Sequence, residues 1–171
     1  MSKKDLLPRE IIGSIKKWVD TPEIIVLLGA RQVGKSSIMH LLMQEMVEEE
    51  YAYFDLEDTF SLEIMTNVDK FLAYLQTRKL NHKKRTKVFI DEFQYLPEPA
   101  KFLKLIHDHH QEIKLIISGS SSFEIRRKFT DALTGRKVVF TIHPLSFAEY
   151  LQFKKSQYQQ NKRQIDLPKI L

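Results

Sequence analysis

The chain has no cysteine, which excludes a disulfide framework and any zinc site built on thiolates. The same absence suits a reducing compartment, so the expected location is cytoplasmic. The longest aliphatic run, "IIVLL" at 24–28, is far shorter than a bilayer span, and no membrane contact is expected. The opening residues "MSKKDLLPRE" lack the apolar core of a secretory signal. No internal repeat is visible. Neither sign of charge dominates: 27 Lys and Arg against 22 Asp and Glu leave a net charge of +5. That tilt permits a polyanionic partner, but charge scattered this way reads first as a solvated surface.

What remains is an ordinary globular composition. The 171 residues, 43% hydrophobic and 29% charged, amount to about one domain with a proper core. Four short apolar runs do not alternate with polar residues: 24–28, "VFI" at 88–90, "KLIIS" at 114–118 and "VVFTI" at 138–142. A weaker fifth, "YAYFDL", covers 51–56. Continuous runs predict strands buried on both faces, as in a parallel sheet between helices. Helical patterns fall between them. They are predicted from Lys35 through the glutamates at 48–50, over 70–80, over 97–110 behind its prolines, over 121–129, and over 146–160. The expected fold is α/β, with strands and helices alternating.

The loop after the first strand carries the chemistry. "GARQVGKS", Gly29 to Ser36, fits the pattern of a glycine, four free positions and Gly-Lys-Ser. It has the required context, with a buried strand before it and a helix from Lys35. Such a loop aims several backbone N–H groups and the positive end of a helix at one point, which suits a polyphosphate. The expected cofactor contacts are Gly29, Ala30, Arg31, Gln32, Val33, Gly34, Lys35, Ser36 and Ser37. Lys35 places a point charge on the outer phosphates, and the Ser36 hydroxyl is a ligand for Mg²⁺.

"KVFIDEFQYLP" at 87–97 ends a strand in two carboxylates. Asp91 is the second expected Mg²⁺ ligand, and Glu92 the expected base that orients and deprotonates water. "IISGSSS" at 116–122 offers Ser118, or failing that Ser120, toward the γ-phosphate or the attacking water; both also make good turn residues. In "LTGRKVVF" at 133–140, Arg136 is a candidate to stabilise charge on the γ-phosphoryl group, within one chain or across a subunit contact. The alternative is a surface arginine. "HDHH" at 107–110 reads as a solvated helix end rather than a metal site. Tyr150, Phe153 and Tyr158 read as the buried face of an amphipathic helix rather than a nucleic-acid contact.

Together "LPREI", "GARQVGKSS", "FIDEFQYLP", "IISGSSSFEI", "LTGRKVVF" and "HPLSFAEYL" resemble the N-terminal ATPase domain of prokaryotic AAA-like P-loop ATPases related to the archaeal ATPase and STAND groups. The resemblance implies a three-layer αβα P-loop NTPase with a mainly parallel five-stranded sheet in the order 5-1-4-3-2. It implies an ATPase using ATP and Mg²⁺, with Ser118 or Ser120 as a sensor, and leaves room for a homo-oligomer. Arg9 is carried over to a place near the base or phosphates. Residues 1–152 are the expected ATPase domain. Residues 153–171 are an expected basic outgoing helix or linker, the truncated start of a C-terminal domain that would hold any DNA contact. The rival of another class is a non-hydrolysing, ATP-switched interaction module. A GTPase is disfavoured because no Asn-Lys-x-Asp occurs.

Overall fold

A computed structural model describes residues 6–47, 50–78, 85–120 and 133–155. The elements follow in the order α1 (Ile12–Lys16), β1 (Ile24–Gly29), α2 (Lys35–Met43), β2 (Tyr51–Asp55), α3 (Thr59–Met65), α4 (Val68–Thr77) and β3 (Thr86–Asp91). After a 3₁₀ turn at Phe93–Tyr95 come α5 (Pro99–His109), β4 (Ile113–Ser120) and β5 (Lys137–Ile142). A last helix, α6, covers 147–155 of the described residues.

The five strands form one parallel sheet in the order β2-β3-β4-β1-β5, which is the expected order read from the other edge. The apolar runs explain it. Along β1, Ile24, Val26 and Leu28 enter one core, with Phe71, Leu75, Phe102 and Leu103 of α4 and α5. Ile25 and Leu27 enter the other, with Ile15 of α1 and Ile38, Met39 and Leu42 of α2. Each strand of such a sheet needs apolar residues of both parities, which is why its sequence does not alternate.

One helix end and two added helices depart from expectation. The helix from Lys35 stops at Met43, well before the glutamates. Its last turn tightens, with Glu45 N on Leu42 O and Met46 N on Met43 O, three residues back. Ending there keeps the acidic run off the negative end of the helix. Helices α1 and α3 were not anticipated; α3 starts on an N-cap, Asp58, whose carboxylate accepts from Ser61 N at 2.8 Å. The predicted helix at 121–129 lies outside the described residues.

At the amino edge of the sheet, cations gather the loop that feeds β1. Lys114, fully buried at the start of β4, donates to Thr21 O at 2.9 Å and to Glu23 O. Arg85 also donates to Thr21 O, at 3.0 Å, and Lys87 pairs with Asp20 at 3.3 Å. Burial pushes the Lys114 ammonium down to about 8 from an ordinary value of 10.5. Between those two values the unfolded chain binds more protons than the folded one, so this lysine makes stability rise with pH across that window. Below about 8 the cost of holding the charge indoors is fully present. Urea melts from pH 7.5 to 10 should show that rise in the wild type and a smaller one in Lys114→Met. Equal slopes would refute the assignment.

Candidate functional site

All five strands end at the same edge, and the site lies there. Gly29 of β1 stands level with Ser120 of β4 and Ile142 of β5, and Asp55 of β2 stands level with Asp91 of β3. The chain leaves β1 toward the far side of the sheet, and β5 later returns on the other side of β1. Ligands of open α/β sheets bind at such a crossover, outside the carboxyl ends of the strands.

The loop from Gly29 to Lys35 is shaped by close packing and by glycine. A Cβ on Gly29 would stand 2.5 Å from Ile142 O and 2.9 Å from Val33 Cγ2, so only glycine lets β1 end against β5. Gly34 has φ +94°, a left-handed backbone that turns the chain into α2. Gly34 is the N-cap residue and brings no side chain, so the first amides of α2 face the loop uncapped. Ala30, Arg31 and Gln32 are exposed at the loop's tip, Val33 is buried beneath it, and Ser36 and Ser37 are half-buried in the first turn of α2. Lys35 is 4% exposed; its Nζ donates to Ala30 O at 3.0 Å and Gly29 O at 3.4 Å.

The two carboxylates sit where the sequence put them, but with different companions. Asp91 is buried and shares the α2 side of the sheet with Ser118 and Tyr53, through the alternation of β3, β4 and β2. Asp91 Oδ1 accepts from Ser118 Oγ and from the Glu92 amide at 3.1 Å. Its Oδ2 accepts from Tyr53 O–H at 3.1 Å. Burial, helped by the Asp91 and Asp55 carboxylates, pushes the Tyr53 phenol well above its ordinary range, so it stays a donor. Glu92 adopts φ 54° and ψ 46°, rare for a residue with a Cβ. That turn breaks the strand's alternation, and Glu92 Oε1 comes 4.0 Å from Lys35 Nζ. Its Oε2 accepts from the Gln94 side-chain amide, while Gln94 Oε1 accepts from Ser120 N at 3.3 Å.

Three expectations change. Of the two serines offered toward the γ-phosphate or the attacking water, the first choice, Ser118, is fully buried and its hydroxyl donates to Asp91. Ser120, half-buried and level with Gly29, is the serine at the height of the loop. Arg136 was a candidate for γ-phosphate charge, but it precedes β5, and Lys137 stands level with Ile24 at the amino end of β1. Strand β1 at about 3.3 Å per residue puts roughly 16 Å between that end and Gly29, too far for an arginine on the same chain. There it holds Asp108, Nε to Oδ1 at 2.7 Å and Nη2 to Oδ2 at 3.1 Å, and this guanidinium keeps the Asp108 carboxyl far below its usual range. Of the aromatics expected on a buried helix face, Tyr150 is 43% exposed, Phe153 is half-buried and Tyr158 lies outside the described residues; Phe147 beside them is 76% exposed, while Glu149 is buried.

The histidines of "HDHH" are not gathered: His107 meets Asp108 at 3.0 Å and His110 meets Glu112 at 3.1 Å. Among the described residues no cluster of His, Asp and Glu suits a metal, and no helix is long and apolar enough to cross a membrane.

The family model of the AAA domain matches residues 21–151, from just before β1 into α6. The chain belongs to the AAA domain family. Within it, this domain is 26% identical over 149 residues to an uncharacterized protein of Methanocaldococcus jannaschii, covering 87% of this chain and 33% of that one. It is 25% identical over 159 residues to an uncharacterized protein of Haemophilus influenzae, covering 90% and 39%. The chain thus spans little more than a third of the curated relatives it matches. Among solved structures, C. elegans PCH-2 superposes with a TM-score of 0.62 at 15% identity, over 94% of this chain and 50% of that one. Aeropyrum pernix ORC1, solved in complex with DNA, gives 0.63 at 12% identity, over 91% and 50%. These likenesses establish an AAA-like P-loop ATPase fold.

Tyr53, Gln94 and Glu149 were missed as site residues. Each lay inside a quoted motif, but tyrosine in a weak strand, glutamine after two acids and glutamate in a helix carry no signal until their partners are placed. The glycine geometry predicts its own test. Gly29→Ala should cost about 1–3 kcal/mol, as overpacking does, measured by urea denaturation. A stability equal to wild type would show that the β1–β5 approach relaxes freely.

Proposed function

We propose that this AAA domain binds ATP with Mg²⁺ and hydrolyses it. The observation that carries the reading is the meeting of Lys35 and Glu92, 4.0 Å apart at the end of the phosphate loop, with Asp91 buried alongside. The loop amides and Lys35 bind the outer phosphates. Ser36 and Asp91 supply the oxygen donors that Mg²⁺ takes, and Asp91 is held in one orientation by Ser118 and Tyr53. Bound there, the ion would neutralise charge on the phosphates. Glu92 takes a proton from water once its carboxylate turns from Gln94 toward the nucleotide. Ser120, level with Gly29, is the residue for sensing the γ-phosphate.

An open cleft of about 810 Å³ continues from the loop at Gly34 and Ser37. Leu6, Leu7, Pro144, Leu145, Phe147 and Tyr150 line it. An apolar cleft beside a phosphate site suits a flat base, so the adenine is assigned there. The exposure of Phe147 and Tyr150 supports the same reading.

Glu92 also keeps the second reading alive. Its oxygens face Gln94 and Lys35, so a domain that binds ATP and changes shape without turnover fits that contact too. DNA contact and self-association are expectations for the whole protein; ORC1 is like this chain in fold, and that likeness does not carry its partner over.

Binding and chemistry separate by mutation. Excess MgATP at a hundred times its dissociation constant should stabilise the folded wild type by about 2.7 kcal/mol in thermal melts. Lys35→Ala should lose most of that shift, and equal shifts would overturn the phosphate site.

Asp91→Asn should weaken Mg²⁺-dependent binding. Glu92→Gln should keep binding and slow hydrolysis by roughly 10²–10⁴-fold, the usual worth of a positioned base. Wild-type turnover no faster than Glu92→Gln would favour the switch module.

A further inference from the structure

Arg9, which the resemblance places near the base or phosphates, precedes α1 and lines the cleft beside the loop, but the steps proposed above do not use it. Its side chain is 8% exposed and reaches three separate parts of the fold. Nη1 donates to Val33 O in the phosphate loop at 2.9 Å, and Nη2 to His143 O beyond β5 at 2.7 Å. Nε donates to Glu149 Oε1 at 3.1 Å. Glu149, 7% exposed, lies in the first turn of α6. It closes a capping box there: its Oε2 accepts from Ser146 N at 2.8 Å, and its own N–H donates to Ser146 Oγ at 3.2 Å. Its Oε1 takes both Arg9 and the Glu10 amide, the latter at 2.9 Å.

The contact with Val33 O has a geometric consequence. In a trans peptide the carbonyl and the following N–H lie in one plane and point in opposite directions. Arg9 holds the Val33 carbonyl from behind, so the Gly34 N–H points the other way, away from Arg9. Arg9 Nη1 also stands 3.1 Å from where a Gly34 Cβ would be, packed directly against the left-handed turn. The peptide that the loop must present to an anion is therefore held by a side chain anchored on α6.

We propose that Arg9 is a positioning residue for the phosphate loop and that the Ser146–Glu149 capping box orients it, so that docking of α6 sets the loop's affinity for polyphosphate. The affinity half of this rests on the polyphosphate reading of the loop; the mechanical half does not. A buried guanidinium with three acceptors on three segments cannot keep all of them if one segment moves. Displacing α6 frees the Val33–Gly34 peptide, and loading the loop favours the docked helix by the same coupling.

The test compares the 171-residue chain with Arg9→Lys, which keeps the charge but not the three-way reach, and Glu149→Gln, which keeps the shape but not the charge. Without nucleotide, amide hydrogen exchange should quicken in the loop 29–37 in both variants and stay as in wild type in β3 and β4. A merely structural role would instead quicken exchange across the sheet, and that result would overturn the proposal. Affinity for MgATP should fall about 10–100-fold, as when groups supporting a ligand set are removed, with the loss in KM rather than kcat. The double variant should be no weaker than the weaker single one, because both act through one contact. Loop exchange identical to wild type in both variants would refute the clasp. A wild type that fails to bind MgATP would overturn the proposed function, and loop exchange would still decide the clasp.

Discussion

The burial of β1 on both faces is the constraint from which the rest of the site follows. Ile24 to Leu28 are all within the two cores, with helices above and below and a parallel strand on either side. Such a strand has no surface on which to carry a polar side chain. The chain becomes polar only where it leaves the sheet, and parallel neighbours leave at the same edge. Lys35, Asp91, Glu92 and Ser120 are therefore collected from distant parts of the sequence without any contact having to recruit them. Gly29 is the point of emergence, and its lack of a side chain lets β1 finish against the Ile142 carbonyl.

Charge at that edge is held by buried partners. Asp91 has hydroxyls on both oxygens. Both hydroxyls donate to the carboxylate, and the raised phenol of Tyr53 keeps its proton, so Asp91 is oriented without an opposing charge from either partner. Lys35, equally buried, lies between loop carbonyls and Glu92, and Glu92 is turned by a backbone that few glutamates adopt. Strain of that kind, costing on the order of 1–3 kcal/mol, persists only when surrounding contacts over-determine it. Here the Gln94 amide and the Lys35 ammonium fix where the side chain points.

The sheet and the phosphate loop were legible because each is written in contiguous residues. Five apolar runs became five strands, with ends shifted by at most two residues, and the loop's glycines stand where the backbone needs them. The short helices were not legible. Five residues of α1 and seven of α3 span fewer than two turns, too few for an apolar stripe to repeat, and only α3 has a side-chain cap, Asp58, to mark it. Side-chain partners were the least legible part. That Ser118 belongs to Asp91 depends on two strands sharing a face, and that Glu149 belongs inside depends on an arginine 140 positions away. A glutamate beside exposed aromatics reads as solvent-facing until that arginine is placed.

The position of Arg136 could have been deduced before any coordinates. In a parallel sheet every residue that precedes a strand lies at the amino edge, and every residue that follows one lies at the carboxyl edge. Arg136 precedes β5, as Arg85 precedes β3 and Glu112 precedes β4. None of the three can be on the side where Gly29, Asp91 and Ser120 emerge. The chemistry at the two edges differs accordingly. At the amino edge, Lys114, Arg85 and Lys87 bind carbonyls and a carboxylate of the loop into β1, and Arg136 binds Asp108 at the end of α5. Those cations are consumed by the protein's own backbone and acids. At the carboxyl edge the loop amides lie at an uncapped helix start, and the buried ammonium of Lys35 reaches, among the described residues, two carbonyls and a carboxylate at 4.0 Å. Strand direction alone therefore puts Lys114, Arg85, Lys87 and Arg136 on the edge away from the loop, while Lys35 lies beside it.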